Sequence, residues 1–239
     1  MDSTKAWGYW ATFGWAILAF LAGQFFAFAL LVWLRAWDWN SILANPFDGV
    51  LVTLFILISN PIAIGVIALA VRFARADQAE YLALTWPQTR YVTVGIAWLI
   101  GLIALCDAFL YLTGRSLVTP FQLQSYTTAA AEGWLPIMFV AAIVVAPAGE
   151  EIMFRGFLFR GWARSERSVW PAIVAISILW AGLHVQYDWT GMLEIFGIGL
   201  FLGWTRWRSG STLLTFALHA LFNLEGTIET LVQVHYFAK

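Results

Sequence analysis

Apolar runs long enough to cross a lipid bilayer constrain this chain more than any other feature. A helix needs about 20 apolar residues to traverse the hydrocarbon core. Seven candidates are legible, at residues 12–34, 50–71, 91–113, 135–163, 171–186, 192–207 and 211–234, the fifth and sixth being short. Composition agrees, because 61% of the 239 residues are hydrophobic and only 11% are charged, against about 25% charged in soluble domains. A water-soluble fold of this length could not hide so much apolar surface. The expected fold class is therefore all-α, a polytopic transmembrane helix bundle of about seven spans, with the lipid bilayer as its first partner.

Residues 1–134 are read as N-terminal transmembrane helices and connecting loops, and residues 135–239 as the core that carries the chemistry. Asn45-Pro46 and Trp86-Pro87 punctuate loops, since proline disfavours helix in the residue before it. A polar strip at 120–132 reads as an interfacial segment. Ala27-Phe28-Ala29 resembles a signal-cleavage site, but the apolar run continues through Leu34 and reads as a retained first helix. Trp7, Trp10, Trp37, Trp39, Trp134, Trp204 and Trp207 sit near expected helix ends, where indoles favour the headgroup layer.

Charge sets the orientation. Threading seven spans puts Lys5, Arg72, Arg75, Arg90, Arg160, Arg164, Arg167, Arg206 and Arg208 on one side, and Arg35, Arg115 and Lys239 on the other. The positive-inside rule then gives a cytoplasmic N-terminus and an outside C-terminus. A net charge of -1 argues against nucleic acid as a partner. The lone Cys106 excludes an internal disulfide.

Ionisable residues inside a membrane helix cost about 2.5–3.5 kcal/mol each at its centre, which makes them functional candidates. The densest group is Glu150, Glu151 and Arg155 in the fourth candidate helix. Glu151 and Arg155 share a face at the i, i+4 spacing and can pair. Glu150 points about 100° away around the helix and faces a different space. His184 falls in the fifth candidate, and His219 and Asn223 share a face of the seventh. At about 1.5 Å per residue, Glu150 and His184 lie roughly 20 Å from the inner ends of their helices, Asn223 roughly 18 Å and His219 roughly 12 Å. These groups can converge near mid-membrane, provided that the fourth helix continues past Arg155. Asp107 reads as a helix–helix hydrogen-bond partner, with a place on the cavity wall as its alternative, Glu194 as interfacial, and Glu225 and Glu229 as facing either the bundle interior or the outer surface.

Glu150-Glu151-x-x-x-Arg155, then Trp180-x-x-x-His184, then His219-x-x-x-Asn223 resemble, in order and spacing, the three motifs of the CAAX-protease and bacteriocin-processing family of intramembrane glutamate proteases. The resemblance spans residues 135–224. Trp180 departs from it, standing where phenylalanine is usual. The resemblance implies an endopeptidase in which Glu150 and His184 activate water, while His219 and Asn223 supply the oxyanion site, with Glu151 and Arg155 in support. It implies no cofactor and no metal, and a substrate that is a membrane-proximal or lipid-modified peptide.

The residues by themselves leave other readings open. Glu and His can ligate zinc, although no His-Glu-x-x-His motif is present. A non-proteolytic membrane scaffold, such as a bacteriocin-immunity or regulatory protein, has no need of these groups at matching depth. A transporter can use buried carboxylates as a proton relay. Oligomeric state and substrate identity are not legible.

Overall fold

The computed structural model describes residues 7–34 and 45–237. Lys5, Arg35, Trp37, Trp39 and Lys239, used above for orientation and interfacial anchoring, lie outside the described residues. Within them the protein is all-helical: α1 (Tyr9–Leu34), α2 (Gly49–Phe73), the single turn α3 (Gln78–Tyr81), α4 (Thr89–Leu112), α5 (Pro120–Ala131), α6 (Leu135–Trp162), α7 (Glu166–Gly182), α8 (Trp189–Ser209) and α9 (Thr212–Val232), closed by a π turn at Gln233–Phe237. Four of these, α1, α2, α4 and α6, are long and apolar enough to cross a membrane by length and composition. The later helices α7, α8 and α9 fall outside that measure and carry most of the buried polar groups.

Connections at the two ends show how the chain turns. At one end the indole of Trp7 donates to the Ala70 carbonyl at 2.9 Å, that of Trp162 to the Tyr9 carbonyl at 3.2 Å, and the Thr212 hydroxyl to the Leu82 carbonyl at 2.6 Å. These bonds bring together the start of α1, the ends of α2 and α6, and the start of α9. At the other end, the Gly49 N–H donates to the Thr128 hydroxyl at 2.7 Å, and Arg115 pairs with Asp188 at 3.1 Å. The long helices thus reverse direction in turn. Trp10, Leu21 and Phe25 on α1, and Trp98, Ile100 and Leu105 on α4, are exposed. An apolar exterior of this kind fits a helical bundle whose solvent is lipid.

Local sequence accounts for the helix ends. Asp48, Asp188 and Ser211 accept from backbone N–H groups of the first turns of α2, α8 and α9, satisfying donors that a helix start leaves unpaired. The polar strip at 120–132 folds as α5, started by Pro120 and by a capping box between Thr119 and Gln122. The fifth candidate span is displaced: α7 begins at Glu166 and stops at Gly182, so His184 lies in the following loop rather than inside a helix.

The centre of the bundle is α6, held close to α1 and α2 by glycine. A Cβ on Gly161 would strike the Thr12 side chain, and one on Gly149 would strike the Asn60 side chain. Small residues allow the backbones to approach where lipid supplies no hydrophobic drive for association. Two π segments, Ala141–Val145 and Ile152–Leu158, flank the α-helical turn Ala146–Glu151. Pro147 lacks an N–H and its ring crowds the carbonyl four residues back, which a locally wider winding relieves.

Candidate active site

The turn between the two π segments presents the carboxylates in opposite roles. Glu151 is completely buried, and its Oε1 accepts from Arg155 Nη1 at 2.8 Å and from His219 Nδ1 at 2.9 Å. Arg155, itself 1% exposed, also donates to the Gly199 carbonyl on α8 at 3.3 Å. Its guanidinium carbon lies 4.4 Å from the centroid of the Trp180 ring. Arg206 on α8 in turn donates to the Arg155 carbonyl at 3.0 Å. The Glu151–Arg155 pair expected from spacing is therefore present, and it extends into a network joining α6, α8 and α9. Pairing of this kind offsets the cost of holding charge away from water.

Glu150 faces a different space, a cavity of about 550 Å³. Its side chain is 25% exposed and that of His184 is 18% exposed. His184 Nδ1 lies 2.7 Å from the Trp180 carbonyl. A carbonyl only accepts, so Nδ1 carries the proton and Nε2 is the nitrogen that looks toward Glu150. Nε2 stands 4.0 Å from Glu150 Oε2, beyond direct hydrogen-bonding distance but close enough for one water to touch both.

His219 and Asn223 line the same cavity as Glu150 and His184. The bond to Glu151 occupies His219 Nδ1 and leaves Nε2 as its other ring nitrogen. Asn223 Nδ2 donates to the Ala142 carbonyl at 2.8 Å, in the first π segment of α6. That bond uses one amide hydrogen and fixes the direction of the second. The structure thus brings Glu150, His184, His219 and Asn223 to one cavity, with Glu151 and Arg155 behind it as buried support.

Several contributors were not read from the sequence. Trp180 Nε1 donates to Glu150 Oε2 at 2.5 Å, and the indole stands edge-on to both His184 and His219, with centroids 5.2 Å away in each case. Tyr187 stacks on His184 at 6.2 Å and lines the cavity. Asn60 on α2 and Phe20 on α1 also line it, so the N-terminal helices contribute to its wall. Asp107, Glu225 and Glu229, placed separately by the sequence, bring carboxylate oxygens within 4.8 Å of one another on this cavity. Among the described residues they are the group whose spacing suits a metal ion, with oxygen ligands of the kind hard cations prefer. The i, i+4 spacing of Glu225 and Glu229 was the available signal, but nothing in the sequence placed Asp107 against them.

Residues 132–224 match the family of type II CAAX prenyl endopeptidases of the Rce1-like kind. The matched segment contains all three motif pairs and the whole of α6, α7 and α8. A curated Escherichia coli relative, named only as an uncharacterized 24.3 kDa protein, is 30% identical over 131 residues, covering 53% of this chain and 60% of that protein. The chain therefore aligns with less than two thirds of the relative's length. No solved structure matches the chain. Long apolar helices together with a match over residues 132–224 to a membrane protease family support an integral membrane protein.

Proposed function

We propose that this chain, whose residues 132–224 match the Rce1-like CAAX endopeptidases, is an intramembrane endopeptidase that hydrolyses a peptide bond of a membrane-proximal or lipid-modified substrate. The observation that carries the reading is the convergence of Glu150, His184, His219 and Asn223 on one cavity, backed by a separate buried ion pair. Residues 135–239 supply the reacting groups, and residues 1–134 supply part of the cavity wall. The N-terminus faces the cytoplasm and the C-terminus the outside, with seven spans.

In this mechanism a water held between Glu150 and His184 Nε2 gives a proton to the carboxylate as its oxygen bonds to the substrate carbonyl carbon. The carbonyl π electrons move onto oxygen, where Asn223 donates its second amide hydrogen, and His219, in its doubly protonated form, donates from Nε2. The oxyanion then collapses and the C–N bond breaks. The proton held by Glu150 passes to the leaving nitrogen, with His184 able to relay it. Glu151 and Arg155 touch no reacting atom. Their part is to hold His219 and the α6 turn in register.

The test is to incubate purified wild type, Glu150→Gln and His184→Ala proteins in detergent with C-terminally prenylated and unmodified peptides, and to read the products by mass spectrometry. Wild type is expected to cleave, and each variant to lose at least about 100-fold, the low end of what a general base contributes. Cleavage by both variants at the wild-type rate would overturn the reading. A Glu150→Gln protein that keeps full biological activity would favour the non-proteolytic scaffold instead.

A further inference from the structure

Trp180 is a fully buried indole placed among Glu150, Arg155, His184 and His219. Its edge carries the single N–H, directed at Glu150 Oε2 at 2.5 Å. Its face covers the Arg155 guanidinium, and both histidine rings meet it at nearly right angles, at 80° and 82°. Its backbone carbonyl accepts from His184 Nδ1. One residue therefore fixes the carboxylate through its side chain and the histidine through its main chain. Oxygen Oε2 is the one engaged, and Oε1 has no protein hydrogen-bond partner among the described residues.

We infer that Trp180 is a positioning residue whose indole N–H pins Glu150 Oε2, the oxygen 4.0 Å from His184 Nε2, and so fixes the carboxylate against the water that both residues contact. A glutamate side chain at a cavity wall has three rotatable bonds, and an unpinned carboxylate would spread over several rotamers. A charge-assisted donor selects one of them. The geometry is independent of what the site hydrolyses, whereas the consequence for turnover rests on the endopeptidase reading above. The charged and titratable groups around this contact are Glu151 and Arg155 on α6, His184 and Tyr187 in the loop after α7, Glu194 on α8 and His219 on α9.

Two measurements test the assignment. In the first, the full chain is labelled with ¹⁵N-tryptophan in detergent micelles, and the Trp180 indole signal is identified by its loss in Trp180→Phe. Its proton is expected downfield of the other indoles in wild type, and to move upfield in Glu150→Gln and further in Glu150→Ala. A signal at the same position in wild type and Glu150→Gln, with the remaining indoles unmoved, overturns the proposal whether or not the chain is a protease. In the second, benzothienylalanine replaces Trp180, keeping its shape but substituting sulfur for the N–H. Loss of one hydrogen bond to a charged group is expected to lower kcat about 10- to 100-fold with KM changed by no more than about twofold. Unchanged kcat, or a loss carried entirely by KM, overturns the positioning role. A wild type that cleaves nothing defeats the endopeptidase reading and leaves the first measurement to decide this one.

Discussion

Glu151 and His219 are joined across two helices: one carboxylate oxygen on α6 accepts the α9 imidazole at 2.9 Å while also accepting Arg155 at 2.8 Å. All three side chains are buried. Removing the carboxylate leaves a buried guanidinium without its ion-pair partner, which in buried pairs costs about 3–5 kcal/mol. Glu151→Ala is therefore expected to lower thermal stability sharply in detergent. Glu150→Gln, at the partly open cavity wall, should leave the melting temperature within a few degrees of wild type. Equal melting temperatures for Glu151→Ala and wild type would contradict the network described here.

Asn223 spends one amide hydrogen on the Ala142 carbonyl, which leaves it preorganised rather than free to rotate. If its second hydrogen stabilises the oxyanion, Asn223→Ala should lower kcat by about 10²–10³-fold with a much smaller effect on KM. Steady-state kinetics on a cleavable peptide decides the matter. A change confined to KM would make Asn223 a ground-state contact only.

Gly149 gives a prediction about packing. Its position leaves no room for a methyl group against Asn60 on α2. Gly149→Ala should destabilise the bundle by about 1–3 kcal/mol, as overpacking does, and displace the neighbouring carboxylates. Asn60→Gly in the same chain should restore most of both stability and turnover. Failure of the double variant to recover would show that the clash lies elsewhere.

Asp188 governs an acid-sensitive loop. The N–H of Gly191, then the Thr190 hydroxyl and the Arg115 guanidinium, hold its carboxyl below the usual carboxylate range. A lowered folded value means that the stabilisation is complete above the unfolded value, about 3.9, and is lost as pH falls through the folded one. The Arg115 pair is solvent-exposed and adds little. The helix cap is the larger part, and Asp188→Ala should cost about 1 kcal/mol at neutral pH. The difference from wild type should shrink on acidification below about pH 4, as followed by thermal unfolding across pH.

Periodicity and spacing reached some of this architecture and not the rest, for a physical reason. Helix geometry alone pairs Glu151 with Arg155 and turns Glu150 away, and both follow from residues on one helix. The continuation of α6 beyond Arg155, on which the depth argument depended, also holds, to Trp162. Contacts that depend on how helices slide against one another were beyond reach: His219 to Glu151, Asn223 to the Ala142 carbonyl, and Asp107 to Glu225 and Glu229. Trp180 was visible as an unusual residue at its motif position, but the direction of its N–H depends on the rotation of α7 against α6. The end of α7 at Gly182 was missed because the loop that follows, with Leu183 and Val185, is apolar enough to read as more helix.

The wide turns of α6 carry a last consequence. A π segment holds one residue more than α winding would over the same stretch, so every residue downstream lags, by about 100°, the azimuth that uniform α winding would give it. The phase of Glu150 is thus uncoupled from that of the lipid-facing turns at Leu135–Val140. Rewinding Ala141–Val145 as ordinary helix with all its residues kept would swing both acidic side chains about 100° around the axis and turn Glu150 away from the cavity, whereas excising one residue along with the rewinding would leave them nearly where they stand.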